Sequence, residues 1–221
     1  MKYHVVPKFF VLIIIAVAAI FLAQWIYTQN EARFFKVFTQ RLTADSRVAE
    51  VTVCDVKTVT GLSKPRVTIR FVEYDTNLKP LDPKYFTFSN DLIQFQSLVV
   101  RFSDSYVKKA DPLRGKSIYL FMKVFTLTDT GAEVFNITGV NDIPSGYRIE
   151  GLSRGFQEKV WKRFWEYALD PAKSQAMGIK NAQIEAPGTR FVPGMVYTIK
   201  IEHDGGLRID ADKPSSARRT S

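Results

Sequence analysis

Cysteine and histidine are almost missing from this chain of 221 residues. It has one cysteine, Cys54, and two histidines, His4 and His203. A single thiol forms no internal disulfide and cannot furnish a multi-cysteine zinc site. Two histidines, one near each end of the chain, exclude a histidine-rich metal centre. The sequence also lacks the D-x-[DN]-x-[DN]-G loop of EF-hands and both glycine-rich phosphate cradles, G-x-x-x-x-G-K-[ST] and G-x-G-x-x-G. Carboxylate-only calcium binding stays open on these grounds, but no cofactor is expected. There is no internal repeat. The net charge of +9 invites an anionic partner. No recognition helix, zinc finger or RNA-binding signature accompanies it, so nucleic acid is not expected. Cys54 lies too far from the apolar N-terminal run for lipid attachment and is predicted to be a small core residue of a strand.

What the chain does have is one long uncharged apolar run, Phe9 to Ile26 (FFVLIIIAVAAIFLAQWI). As a helix it reaches about 27 Å, enough to cross a hydrocarbon core. Lys8 before it, and Trp25 and Tyr27 at its far end, suit the membrane interface. The competing reading is a cleaved signal peptide, with Ala16, Ala18 and Ala19 as a mimic of the cleavage site. The run stays apolar well past those alanines, which favours an uncleaved anchor. The short tail 1–8 with Lys2 and Lys8 predicts a cytoplasmic N-terminus and a domain outside the cytoplasm, although Arg33, Lys36, Arg41 and Arg47 compete from the other side.

Residues 28–46 continue with helical periodicity. Phe34, Phe35 and Phe38 gather on one side, opposite Arg33, Lys36 and Gln40. This stretch either lies on the membrane surface or packs as the first helix of the domain. No flexible linker intervenes, so the tether is short and stiff.

Beyond Arg47 the period becomes two. Ala49, Val51 and Val53 alternate with polar neighbours, and Val67, Ile69 and Phe71 do the same after a Gly61–Pro65 turn, which predicts an antiparallel hairpin. Leu92 to Phe102 is a further strand whose apolar positions change parity near Ser97, the mark of a bulge. Ser117 to Leu127 is apolar on both parities, as in a strand covered on both faces. Ala132 to Ile137 is its expected partner, and Met195 to Glu202 with Leu207 to Asp210 form a closing hairpin. Phe156 to Leu169 is an amphipathic helix with one aromatic side, terminated by Pro171. Residues 212–221 are predicted to be a disordered basic tail.

The fold class expected is therefore α+β, mainly β. A single transmembrane helix (9–27) and a juxtamembrane helix (28–46) precede an antiparallel β-sandwich-like domain (47–211) with one aromatic-faced helix.

One stretch carries a motif. Gly151-Leu152-Ser153-Arg154-Gly155 matches G-x-S-x-G, the nucleophile elbow of serine hydrolases, with Tyr147 to Glu150 as a possible strand before it. Asp170 and His203 follow in the order that fold uses. Against this, almost everything before Ser153 reads as strand and turn, whereas such hydrolases alternate strands with helices. The plainer reading is that Ser153 caps the helix. Candidate interaction residues are the basic cluster Lys108, Lys109, Arg114 and Lys116, together with Trp161 and Trp165, although the plainer reading of that aromatic face is packing onto the sheet. The function expected is a non-catalytic, membrane-anchored binding or assembly module of an envelope complex. Its partners are membrane lipid and other envelope membrane proteins, and its place is the inner or plasma membrane. A membrane-anchored serine hydrolase is the alternative, and an envelope lipid or glycan carrier a weaker one.

Overall fold

The computed structural model describes residues 8–40, 47–58, 64–75, 78–102, 117–174, 179–202 and 206–213. Helix α1 runs unbroken from Lys8–Gln40, 33 residues, or about 50 Å at the helical rise. Its window Phe10–Tyr27 has a mean hydropathy of 2.5, and none of it is buried in the protein. A helix apolar all round and uncovered by its own chain has the composition of a membrane span. The expected anchor and juxtamembrane helix are thus one rod as far as Gln40. The side chains of Lys8, Phe34, Phe35 and Phe38 lie outside the described part, as do residues 41–46.

The rest is mainly β, in two antiparallel sheets. The first contains β1 (Arg47–Lys57), β2 (Arg66–Glu73), β3 (Lys84–Phe88), β9 (Val196–Ile201) and β10 (Leu207–Asp212), in the order β10-β9-β1-β2-β3. The second contains β4 (Leu92–Phe102), β5 (Ser117–Thr128), β6 (Gly131–Asn136), β7 (Ile179–Glu185) and the short β8 (Gly188–Arg190). It runs β6-β5-β4-β7, with β8 continuing the β7 edge along β4 after Pro187. The predicted hairpins β1–β2, β5–β6 and β9–β10 all form. Three strands escaped the sequence reading. β3 is five residues between Pro83 and a turn, and β7 and β8 are mostly solvent-facing, with little alternation to betray them.

The facing sides of the two sheets share one apolar cluster that includes Val51, Ile69, Phe71, Phe95, Phe121 and Ile199. Phe71 stands between the others, its ring centroid 5.4 Å from Phe95 and 5.2 Å from Phe121. A second cluster covers the outer side of β4 and β5. There Leu98, Val100, Ile118, Leu120 and Met122 receive helix α2 (Arg154–Leu169). β5 is therefore buried on both faces from Ile118 to Met122, as its apolar residues of both parities predict. A short helix α3 (Pro171–Ser174) follows α2.

Three local expectations need correction. The register shift near Ser97 is real, but the extra residue is Met122 on β5, because Gln96 pairs with Lys123 and Ser97 with Phe121. The apparent parity change in β4 has another cause. Gln94 and Gln96 precede the part of the outer face that α2 covers, where Leu98 and Val100 take over, while Ser97 occupies an inward, fully buried position. Cys54 is the second correction. It is exposed, because Val53 pairs with Ile69 and Asp55 with Thr68, which leaves Cys54 as the bulged residue between them. Asp212, expected in the tail, is the third: it is the last residue of β10, and the rest of the expected tail from residue 214 on lies outside the described part.

Candidate functional site

The chemistry suggested by the sequence centres on the start of α2. Ser153 has φ −59° and ψ 141°, and its hydroxyl accepts a hydrogen bond from the Phe156 amide at 3.3 Å. This is an N-cap, in relaxed extended backbone. A nucleophile elbow instead holds its serine on a strained strand-to-helix turn. The residues before Ser153 form no strand: Ser145–Tyr147 is a 3₁₀ turn, and the chain then runs irregularly to the cap. Gly151 has φ 79°, which explains a glycine there. A Cβ at Gly155, by contrast, would meet nothing within 4 Å, so no close approach demands that second glycine.

The three-residue arrangement fails on distance. Ser153 precedes the first residue of α2 and Asp170 follows its last, which separates them by about 24 Å of helix. One imidazole cannot bridge that span. Asp170 is instead engaged at the start of α3, accepting from the Ala172 amide at 2.9 Å. His203 lies outside the described residues. Ser153→Ala is expected to lower stability by about 1 kcal/mol. A fluorophosphonate probe should leave the protein unlabelled; labelling that vanishes in Ser153→Ala would reverse the assignment.

The loop before α2 is shaped by a residue with no motif. Gln157 is buried. Its Oε1 accepts from the Ile149 amide at 2.9 Å, while its Nε2 donates to the carbonyls of Ile149 and Leu152, each at 3.0 Å. One side chain thus satisfies three backbone groups of the loop that leads into α2, two on Ile149 and one on Leu152. A polar residue on the inner side of an amphipathic helix was the available signal.

Trp161 and Trp165 are fully buried against the sheet, so they belong to the core and not to an interaction surface. Trp165 donates from Nε1 to the Asp142 carbonyl at 2.9 Å. This ties the loop after β6 to α2. In that loop Gly139 donates its amide to the Asp142 carboxylate at 3.1 Å, and a Cβ on Gly139 would lie 2.6 Å from the same oxygen.

Between this loop and α2 lies a groove of about 630 Å³, with Thr138, Ser145, Arg148, Arg154, Lys159 and Lys162 among its lining residues. Glu158 also lines it and is paired with Arg154 at 2.7 Å. Arg148, Lys159 and Lys162 are exposed, and among the described residues none of them has a carboxylate within ion-pair distance. On the other side of α2, the ring of Phe156 meets Tyr27 of α1 edge-on, with centroids 5.7 Å apart. The expected cluster Lys108, Lys109, Arg114 and Lys116 falls outside the described residues.

Shifted titrations lie elsewhere and have surface causes. Arg208 hydrogen-bonds Asp210 and, with Lys200, holds its carboxyl below the ordinary aspartate value. Glu166 holds the Lys173 ammonium up. Both are exposed ion-pair clusters. Among the described residues, no three or more histidine, cysteine, aspartate or glutamate side chains gather to hold a metal ion.

The class these features define is a mainly β domain of two antiparallel sheets behind an N-terminal helix long and apolar enough to cross a membrane. No protein-family model, curated protein or solved structure matches the chain.

Proposed function

We propose that this is a single-pass, membrane-anchored, non-catalytic binding or assembly module of an envelope complex, with its domain outside the cytoplasm. The two sheets and their shared core serve as a β-sandwich scaffold. The observation that carries the reading is the contact between Tyr27, the last residue of the apolar window, and Phe156 on α2. The contact holds the end of the apolar window against the domain, so the domain sits against the membrane. Such an arrangement suits a protein that presents a fixed surface to membrane neighbours, and suits poorly one that must reach a soluble substrate. The use of the Ser153 hydroxyl as a helix cap supports the non-catalytic side of the reading. The aromatic filling between the sheets argues against a carrier with its ligand inside the domain.

Two measurements test the proposal. Protease added to intact spheroplasts is expected to digest the domain; full protection would place it in the cytoplasm. Purification in mild detergent is expected to recover other integral envelope proteins in fixed ratio. Recovery of this chain alone, after crosslinking in intact cells, would remove the assembly role.

A further inference from the structure

We infer that the groove between α2 and the loop after β6 binds the phosphate-bearing headgroup of an anionic phospholipid from the membrane that α1 crosses. The inference rests on reading α1 as a membrane span.

Three observations carry it. The first is charge. Of the charged groups lining the groove, Arg154 and Glu158 neutralise one another at 2.7 Å, and the Asp142 carboxylate, which accepts the Gly139 amide, keeps one negative charge against the cations that remain. Arg148, Lys159 and Lys162 remain, exposed and without an ion-pair partner among the described residues. Three unpaired cations around one concavity favour a polyvalent anion, and guanidinium and ammonium groups are the usual ligands of phosphate. Thr138 and Ser145 line the same groove and add hydroxyls.

The second is form. About 630 Å³ falls in the range of small-molecule sites, roughly 300–1,000 Å³. One wall is held in place by the Trp165 bond to the Asp142 carbonyl, so the backbone of that wall is fixed before binding.

The third is position. Tyr27 closes the apolar window of α1 and touches Phe156, which lies between Arg154 and Lys159 on α2. A helix is only about 10–12 Å across. The first turns of α2, and the groove on their other flank, therefore lie beside the level where the span leaves the hydrocarbon. That is the headgroup layer. A soluble acidic peptide would need no such placement. A lipid headgroup does.

The test uses the full chain in nanodiscs of phosphatidylcholine with one fifth phosphatidylglycerol, reading lipids retained by native mass spectrometry. The wild-type protein should retain phosphatidylglycerol in marked excess over its share. The triple variant Arg148→Ala/Lys159→Ala/Lys162→Ala should retain it at close to its one-fifth share, since each basic group near an anionic surface contributes appreciably. Lys57→Ala/Lys64→Ala/Arg66→Ala, which removes the same charge from the other sheet, should keep the excess. Absence of a preference in the wild type, or equal loss in both variants, would overturn the groove as a site. Displacement of the lipid by inorganic phosphate, but not by chloride of equal ionic strength, would assign the groove to soluble phosphate and overturn the lipid assignment. Capture of an acidic protein in place of lipid would do the same. Failure of the chain to enter nanodiscs at all would strike the membrane reading itself.

Discussion

Trp161→Ala is expected to lower the unfolding free energy of the domain by about 3–5 kcal/mol, enough to leave a large unfolded fraction at moderate temperature. The side chain is fully buried. It lies 5.4 Å from the Tyr147 ring and 5.2 Å from the Phe164 ring, centroid to centroid. Tyr147 in turn donates its hydroxyl to the Tyr119 carbonyl on β5 at 3.2 Å. Removing the indole leaves a cavity between α2, the 3₁₀ turn and the second sheet, which rigid neighbours on three sides cannot collapse to fill. Phe164→Ala should cost less, about 1–2 kcal/mol, because that ring sits on the half-buried flank of the helix. Denaturant unfolding of the detergent-solubilised chain, followed by far-ultraviolet circular dichroism, gives both values. Equal stability of Trp161→Ala and wild type, with loss of a copurifying protein, would make the aromatic side of α2 an interface.

Gln157→Leu is expected to cost about 3 kcal/mol or more, although leucine is apolar, similar in size and a better residue for a buried helix face. The substitution orphans the Ile149 amide and the carbonyls of Ile149 and Leu152, and each buried unsatisfied group costs about 1–3 kcal/mol. Gln157→Glu separates this account from a simple packing effect. The carboxylate keeps an acceptor for the Ile149 amide but turns an oxygen toward two carbonyls in a buried site. That environment favours the neutral acid, so its pKa is raised on folding. A folded state that holds the proton more tightly gains stability as pH falls, so the penalty of Gln157→Glu should shrink from neutral toward acidic pH. A penalty independent of pH would show that the three hydrogen bonds do not govern this loop.

The same two residues mark how far the sequence could be read. Trp161 belongs to a helical stripe visible in the chain, because side chains three and four apart fall on one face. The stripe announced a buried side and, through Pro171, its end. Gln157 sits on that buried side and looked like an exception. Its role depends on the backbone path of residues 149–152, which local pattern does not encode. The G-x-S-x-G match misled for a related reason. A spacing of five residues is shared by a strained elbow and a relaxed capped helix, and the dihedral angles at Ser153 and the helix separating it from Asp170 distinguish them. Cys54 was misplaced because the apolar character of cysteine was weighed above its place among the polar positions of β1, where it is the exposed residue of a bulge set by pairing with β2.

By itself the sequence determined the long apolar helix, the mainly β character, three hairpins and the aromatic-faced helix. Each follows from composition or from a period of two or 3.6 within one short stretch. Only the tertiary structure decided that β1 and β4 stand inside their sheets, that β7 and β8 line one edge of β4, and that α2 covers the outer side of β4 and β5. These depend on pairings between residues far apart in the chain. The groove is of the same kind. Arg148, Lys159 and Lys162 converge because the loop after β6 is pinned to Trp165, and Tyr27 meets Phe156 across more than half the length of the chain. Charge and rings were written in the sequence; their nearness was created by packing.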